Sequence, residues 1–192
     1  MPDPSVYAVI LAAGGASRFG SPKQLAELDG VPLVARAVRA ARTACGSRHL
    51  LVCGAEWRRV AIAAGLQQGF FCINDDWQSG LGTSIGCGVS RVAKTADAVL
   101  LMLADQPRVG DQHLCELVER WTAAPQAIVA TAYAGTRGTP AVFPRRDFGA
   151  LCTLAGDRGA KALIEAEAGR VTAIDCEDAA CDVDRPEDLL PR

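Results

Sequence analysis

Short apolar runs alternate with helix-periodic segments along most of this chain, and this alternation constrains the fold more than any other feature. Strand-like apolar runs occupy residues 7–12, 49–53, 69–73, 98–103, 127–131, 140–143 and 171–174. Apolar residues recurring on one face predict helices over 32–43 and 111–122, and further helices are expected over 57–64, 81–92 and 161–168. Such alternation favours right-handed crossovers and therefore an α/β fold with a mainly parallel sheet between helix layers.

The size and composition predict one globular domain spanning residues 1–192. The chain has 192 residues, of which 49% are hydrophobic and 22% charged, and it shows no internal repeat or low-complexity linker. Its formal net charge of −2 lacks the basic excess of nucleic-acid binders, so no nucleic-acid partner is expected. An anionic substrate must therefore be held by local groups.

Two further features predict a cytoplasmic protein with no membrane association. The N-terminal sequence has no charged region of a signal peptide, and no apolar run approaches the roughly 20 residues that span a bilayer. The eight cysteines form no Cys-x-x-Cys pair, so reduced thiols packed as small hydrophobes are favoured over a zinc site. A Cys176–Cys181 disulfide is disfavoured in that compartment.

A glycine-rich loop follows the first predicted strand. It begins Leu11-Ala12-Ala13-Gly14-Gly15 and continues through Arg18 and Lys23. Small residues let the backbone approach a ligand closely, and consecutive amides can bind an anion. With the two cations, the loop suits a triphosphate, although an ordinary glycine turn with two solvated cations explains it equally well. It matches neither the P-loop nor the dinucleotide-binding pattern.

A carboxylate follows the strongest central strand prediction, in Leu103-Ala104-Asp105-Gln106-Pro107. Ligands of parallel sheets bind outside the carboxyl ends of the strands, which places Asp105 at the ligand crevice. Triphosphate chemistry requires a hard cation, and Mg²⁺ prefers one or two carboxylates together with phosphate oxygens. The alternative is that Asp105 only caps the following turn.

Four other stretches carry polar groups near predicted element ends, and the first three of them also contain glycine. In the stretch 74–85, Ser79 and Gly80 precede a predicted helix, whose free N-terminal amides can bind an anion or a base. The alternative is that the Ser79 hydroxyl is a simple N-cap. Stretches 137–143 and 156–161 combine glycine with basic or hydroxyl residues. The acid-rich stretch 181–189 is typical of a solvated turn, unless one of its carboxylates faces Asp105.

These stretches, taken in order, resemble a known family. The first, LAAGGASRFGSPKQL from Leu11, resembles the opening signature of the MobA-like nucleotidyltransferases. NDDWQSGLGTSI, LADQP, RGTPAVF, GDRGAK and DVDRPEDL then follow as in the branch typified by molybdenum cofactor cytidylyltransferase. The resemblance extends from about Tyr7 to about Leu189 and implies a three-layer, Rossmann-like α/β fold with a mainly parallel mixed sheet.

The resemblance also implies roles for individual residues. Arg18, Lys23 and Asp105 are expected to be catalytic, and Asp105 is expected to hold Mg²⁺ with Asp182 as first choice and Asp184 as second choice of partner. The nucleotide is expected to contact Leu11, Ala12, Ala13, Gly14, Gly15, Arg18, Lys23, Ser79, Gly80 and Asp105. The acceptor is expected to contact Gly138, Thr139, Pro140, Gly156, Asp157, Gly159 and Lys161.

The implied reaction transfers CMP from CTP to the terminal phosphate of the molybdenum cofactor, a phosphorylated pterin, and releases pyrophosphate. The LAAG opening favours CTP over GTP, which the guanylyl branch uses. A molybdoenzyme or its chaperone is a further possible partner. The acceptor phosphate is ionised near neutral pH because its second pKa is about 6, so no general base is expected. Alternatives are a sugar- or polyol-phosphate cytidylyltransferase and a non-catalytic cofactor-binding chaperone.

Overall fold

The computed structural model describes residues 4–15, 22–157, 159–183 and 185–189. The strands are β1 (Val6–Ala12), β2 (Glu27–Leu28), β3 (Val31–Pro32), β4 (His49–Cys53), β5 (Phe71–Ile73), β6 (Ala98–Leu103), β7 (Ile128–Tyr133), β8 (Thr136–Pro144) and β9 (Val171–Asp175). The helices are α1 (Leu33–Cys45), α2 (Trp57–Ala63), α3 (Leu81–Val92), α4 (Asp111–Ala123), α5 (Phe148–Cys152) and α6 (Lys161–Ala166).

Seven strands form the central sheet in the order β5-β4-β1-β6-β8-β7-β9. Neighbouring strands are parallel from β5 to β6 and again between β7 and β9, whereas β8 runs antiparallel to both of its neighbours. The predicted α/β fold with a mainly parallel mixed sheet is confirmed.

Side-chain alternation along the strands builds two apolar cores, one on each face of the sheet. In β1, Ala8 and Ile10 belong to the core under α1, α2 and α4. Val9 and Leu11 point the other way, into the core that α3, α5 and α6 cover. The central strand is therefore buried on both faces, which accounts for its uninterrupted apolar sequence.

Helix α1 shows how the predicted amphipathic pattern is used. Its buried residues recur at the predicted spacing and include Leu33, Val34, Ala37 and Ala41. The helix ends at Gly46, whose φ of 62° suits glycine and whose amide donates to Arg42 O. None of the helices in the described residues is both long and apolar enough to cross a bilayer.

The structure differs from the sequence expectations in local detail. Strand β8 begins at Thr136, not at Pro140, because a tight turn at Ala134 and Gly135, both with positive φ, folds it back onto β7. The two-residue hairpin β2–β3 and the short helix α5 were not expected, and neither is long enough to show a clear period in the sequence. The helix expected over 161–168 ends at Ala166.

Candidate functional site

The carboxyl end of β1 opens into the glycine-rich loop. Leu11, Ala12 and Ala13 are buried, whereas Gly14 is exposed. The side chain of Gln24 is buried and its Nε2 donates to Gly14 O at 3.0 Å, which fixes the start of the loop. Arg18 lies among residues 16–21, outside the described part of the chain.

Lys23 and Asp105 form an ion pair at this edge of the sheet. Lys23 opens a short 3-10 turn after the glycine-rich loop, and Asp105 lies two residues beyond β6. The amide of Ala104 donates to Leu11 O at 3.1 Å and so holds the two loops side by side. The side chains are 23% and 15% exposed, so both remain accessible to a ligand while being partly desolvated.

The two oxygens of the Asp105 carboxylate have different surroundings. Oδ2 faces Lys23, whereas Oδ1 is buried and has no hydrogen-bond partner in the described residues. A buried carboxylate oxygen without a partner loses solvation without compensation. Its position therefore favours a bound cation or a ligand donor.

The segment after β9 crosses the same edge of the sheet. The amide of Val183 donates to Asp105 O at 2.9 Å, which places the preceding residue, Asp182, beside the Asp105 loop. Gln106 Nε2 donates to Ala179 O at 2.9 Å, and this second hydrogen bond also holds the segment after β9 against the loop that contains Asp105. Asp184 lies outside the described residues, which contain no cluster of three or more metal-ligating side chains.

Trp77 covers the glycine-rich loop from the segment after β5. A Cβ on Gly15 would lie 2.7 Å from the Trp77 ring, and one on Gly54 would lie 2.5 Å from Ala13 O and 2.7 Å from Trp77 Cβ. Side chains at these two positions would push Trp77 or the loop away. The glycines therefore permit a close approach of backbone to ring.

Asn74 organises the segment that carries Trp77. Its buried Nδ2 donates to Thr83 Oγ1 at 2.9 Å and to Ser84 Oγ at 3.0 Å, both in the first turn of α3. Its Oδ1 accepts from the amide of Asp76 at 3.1 Å. Both Nδ2 hydrogens thus tie the end of β5 to α3, and Oδ1 holds the turn that follows.

Ser79 and Gly80 lead into α3 and meet the segment containing Gly156. Ser79 Oγ donates to Asp76 Oδ1 at 2.5 Å. Gly80 has a φ of 108° and lies so close to Gly156 that a Cβ would fall 2.3 Å from Gly156 C. The amide of Gly82 donates to Gly156 O at 3.0 Å. The structure therefore brings an expected nucleotide residue and an expected acceptor residue into direct contact.

The rest of that acceptor stretch lies alongside. Asp157 is exposed, and a Cβ on Gly159 would be 3.2 Å from Leu81 Cδ2. Lys161 is the exposed first residue of α6.

The other expected acceptor residues, Gly138, Thr139 and Pro140, lie within β8. Strand β8 is antiparallel to β6 and Ala141 lies beside Leu101, so the residues that precede Ala141 extend toward the carboxyl end of β6. This is the same sheet edge at which Asp105 follows β6. A Cβ on Gly138 would lie 2.3 Å from Tyr133 Oη, so the phenol occupies the space beside this residue.

A buried hydrogen-bond chain supports this part of β8. Thr131 Oγ1 donates to Pro140 O at 2.6 Å, and His113 Nε2 lies 2.8 Å from the same hydroxyl oxygen. Because the hydroxyl hydrogen is used on Pro140, Nε2–H of His113 donates to Thr131. Burial lowers the pKa of His113, which agrees with a neutral ring in this chain.

Tyr133 connects the β8 residues to the segment after β9. Burial raises the pKa of the Tyr133 phenol, and the nearby Asp182 carboxylate raises it further. Asp182 thus lies close both to the Asp105 loop and to the hydroxyl that borders Gly138.

Five residues of this region carried no assigned role in the sequence: Gln24, Asn74, Trp77, Thr131 and Tyr133. Asn74 and Trp77 lay within a stretch that was singled out, directly after a predicted strand. Thr131 and Tyr133 gave no local signal, because their roles depend on partners on other strands and helices.

Comparison with known proteins gives a consistent result over nearly the full chain. A family model described as a MobA-like NTP transferase domain matches residues 8–171. Nicotine blue oxidoreductase of Paenarthrobacter nicotinovorans is 31% identical over 197 residues, covering 97% of this chain and 95% of its own. Purine catabolism protein PucB of Bacillus subtilis (strain 168) is 29% identical over 202 residues, covering 98% and 96%.

Among solved structures, Rv0371c of Mycobacterium tuberculosis H37Rv superposes with a TM-score of 0.80 at 30% identity, covering 96% of this chain and 95% of its own. A structure of Rv0371c in complex with manganese gives a TM-score of 0.75 at 28% identity with the same coverage. The likeness therefore concerns the whole architecture and not one motif.

Proposed function

Because this chain belongs to the MobA-like NTP transferase family, as its motifs predicted, we propose that it transfers CMP from CTP to the terminal phosphate of the molybdenum cofactor and releases pyrophosphate. The observation that carries the proposal is the meeting of Lys23 and Asp105 beside the glycine-rich loop, at the carboxyl edge of β1 and β6. The Lys23 ammonium can bind the phosphates of a triphosphate, and the Asp105 carboxylate can bind the metal ion that accompanies them.

The phosphates are proposed to bind the loop that starts at Leu11, Ala12 and Ala13. Gly14 and Gly15 leave the backbone open to close approach, and loop amides can bind anions in such turns. The Lys23 ammonium adds a fixed charge, and Arg18 is proposed to add a second. Ser79 and Gly80 are proposed to border the nucleotide from the side of α3.

The residues present fit a divalent metal ion. Oδ1 of Asp105 is buried without a partner in the described residues, and carboxylate oxygens are hard ligands. Mg²⁺ typically takes one or two carboxylates together with phosphate oxygens, so the absence of a three-residue cluster among the described residues does not count against it. We propose that Asp105 and Asp182, or Asp184 in its place, hold Mg²⁺, which would neutralise phosphate charge.

The acceptor is proposed to lie between two groups of residues that border the loop. Gly138, Thr139 and Pro140 approach from β8, and Gly156, Asp157, Gly159 and Lys161 approach from the α3 side. The contact between Gly80 and Gly156 supports this arrangement, because it joins the residues proposed to bind the nucleotide to those proposed to bind the acceptor.

In the proposed reaction, an oxygen of the acceptor phosphate attacks the α-phosphorus of CTP in line. The bond between the α-phosphorus and the bridging oxygen breaks, and pyrophosphate leaves with the electron pair. The acceptor is already an anion, so no residue has to remove a proton. Lys23 and the loop amides hold the phosphates in position and offset the charge that develops on the leaving group.

The choice of CTP rests on the LAAG opening of the loop at Leu11 and on the LADQP sequence ending at Pro107. GTP is the alternative base donor. Sugar- and polyol-phosphate cytidylyltransferases would share the residues that bind the nucleotide but differ in those that bind the acceptor.

The decisive experiment incubates the protein with each of the four nucleoside triphosphates, Mg²⁺ or Mn²⁺ and purified molybdenum cofactor. We expect pyrophosphate release with CTP, dependent on both acceptor and metal, and a product heavier than the acceptor by one CMP unit. The mass of a GMP adduct would correct the base, and turnover only with sugar or polyol phosphates would correct the acceptor.

Two outcomes would overturn the transferase proposal itself. Tight CTP binding without pyrophosphate release, across all acceptors, would favour a cofactor-binding chaperone. One relative is named an oxidoreductase, so oxidation of a reduced nicotinamide or flavin by an electron-accepting dye is measured alongside. Turnover in that assay without nucleotide transfer would replace the proposal.

A further inference from the structure

Two thiols meet directly behind the Asn74 segment. Cys72 lies on β5 and Cys87 on α3, and their Sγ atoms are 3.7 Å apart. Both side chains are partly buried against the apolar core, and both are unpaired. No role in nucleotide transfer requires this pair.

We propose that Cys72 and Cys87 are a hydroperoxide-sensitive thiol pair that closes to a reversible disulfide. The sulfurs must move from 3.7 Å to about 2.0 Å, a shift that small side-chain rotations and a slight approach of α3 to β5 supply. Among the described residues, Cys72 and Cys87 are the one pair of cysteines whose sulfurs lie within hydrogen-bond distance of each other, and Cys45 and Cys53 are buried.

The pair is polarised into an attacking and a resolving sulfur. The hydrogen bond from the Cys72 thiol lowers the pKa of Cys87 to about 7, while that bond and burial raise the pKa of Cys72. Asp75 raises and Arg91 lowers the pKa of Cys87, so the neighbouring charges partly offset each other. By contrast, burial raises the pKa of Cys53 to about 12, which keeps that thiol protonated.

A hydroperoxide is the two-electron oxidant of the two thiols. The Cys87 thiolate attacks the peroxide O–O bond, forming a sulfenic acid and releasing an alcohol, or water from hydrogen peroxide, after protonation. The Cys72 sulfur then attacks the Cys87 sulfur, the S–O bond breaks, and a second water leaves with the thiol proton. Two thiols and one peroxide thus give one disulfide, and a dithiol reductant restores the pair.

The disulfide would act on the segment that carries Trp77. Cys87 lies one helical turn beyond Thr83 and Ser84, which Asn74 holds, and Cys72 lies two residues before Asn74. Drawing α3 toward β5 compresses this link, so we expect the oxidised protein to bind the nucleotide several-fold more weakly. This last step rests on the proposed function, whereas disulfide formation does not.

The test treats the reduced protein with hydrogen peroxide and then blocks the remaining thiols with an alkylating agent. Trypsin leaves both cysteines in one peptide, residues 60–91, because no Lys or Arg interrupts it. We expect this peptide to lose two hydrogen atoms and to escape alkylation. Chymotryptic cleavage after Trp77 then separates the two cysteines into disulfide-linked fragments.

Variants divide the roles of the two sulfurs. Cys72→Ser is expected to accumulate a dimedone-reactive sulfenic acid on Cys87, whereas Cys87→Ser is expected to lose the fast peroxide reaction. Cys115→Ser, which removes a thiol outside the pair, is the matched control and keeps the disulfide. Circular dichroism confirms that each variant is folded.

Oxidation of other cysteines as fast as this pair, with no linkage between Cys72 and Cys87, would overturn the proposal. A disulfide that forms but leaves nucleotide affinity unchanged would remove the coupling to the site. Failure of the transferase proposal appears separately, as absence of pyrophosphate release by the fully reduced protein.

Discussion

The two halves of the sheet build their parts of the candidate site in different ways. In the parallel half (β5, β4, β1 and β6), the proposed ligand groups follow strand ends and consist of open backbone, glycine and the Lys23–Asp105 ion pair. In the hairpin half (β8, β7 and β9), they lie within strand β8 and are supported by buried side-chain hydrogen bonds. The first can be located from strand ends alone, whereas the second depends on the register of an antiparallel hairpin.

The largest expected effect comes from removing the cation of the parallel half. Lys23→Ala is expected to lower kcat for nucleotide transfer on the order of 10² to 10³-fold, because a preorganised charge at the phosphates is lost. Steady-state pyrophosphate release measures it. Lys94→Ala, an exposed lysine distant from both loops, is the matched control and should retain wild-type turnover. Equal losses in both variants would mean that bulk charge, not the ion-pair site, matters.

A smaller effect is expected from crowding the same half. Gly54→Ala places a Cβ 2.5 Å from Ala13 O and against Trp77, so the loop or the ring must shift. We expect a loss of about 2–3 kcal/mol in the free energy of unfolding and a weaker affinity for the nucleotide. Urea denaturation and equilibrium nucleotide binding measure the two effects.

Gly149→Ala provides the control for that substitution. Gly149 is exposed near the start of α5, and a Cβ there meets nothing within 4 Å. Unchanged or slightly increased stability is expected, since alanine restricts the unfolded chain. A Gly54→Ala protein as stable as the control would contradict the close packing described for Trp77.

The hairpin half is tested by Thr131→Val, which keeps the side-chain shape but removes the hydroxyl. His113 Nε2–H and Pro140 O lose their shared partner, so we expect a loss of about 1–2 kcal/mol in stability. The KM for the acceptor should rise while the KM for CTP changes little. Thr172→Val on β9 serves as the strand control, and an equal rise of both KM values would remove the proposed division between the halves.

The smallest effect is a pH dependence in the same hydrogen-bond chain. Burial lowers the pKa of His113 below its usual 6.5, so the unfolded chain binds this proton more readily than the folded one. The contribution to stability is therefore complete above the unfolded pKa and is lost as the pH falls through the lower folded value. His113→Gln keeps a donor for Thr131 but does not titrate. Urea midpoints at about pH 7.5 and about pH 5.5 should differ less in this variant than in the wild type.

The sequence predicts the parallel half well because its proposed ligand groups directly follow apolar strands along the chain. Strand β6 was expected at 98–103 and is found there, and the apolar pattern of β1 places the glycine loop at the carboxyl edge. Asp105 and the loop meet because parallel neighbours end at one edge of the sheet.

The hairpin half was less predictable because its contacts join residues distant in sequence. The alternation of elements gave no direction for β8, and its length depends on the turn at Ala134 and Gly135. The partnership of His113 with Thr131 arises only once α4 packs on the sheet. The thiol pair likewise requires β5 and α3 to pack together, so Cys72 was expected only as a small hydrophobe.

Whether Lys23 and Asp105 flank a metal-bound triphosphate is tested by calorimetric titration of CTP with and without Mg²⁺, on the wild type and on Asp105→Asn. This substitution keeps the shape of the side chain but removes its charge. We expect Mg²⁺ to strengthen CTP binding to the wild type and to have little effect on binding to the variant. Equal strengthening in both proteins would rule out Asp105 as a ligand of the metal.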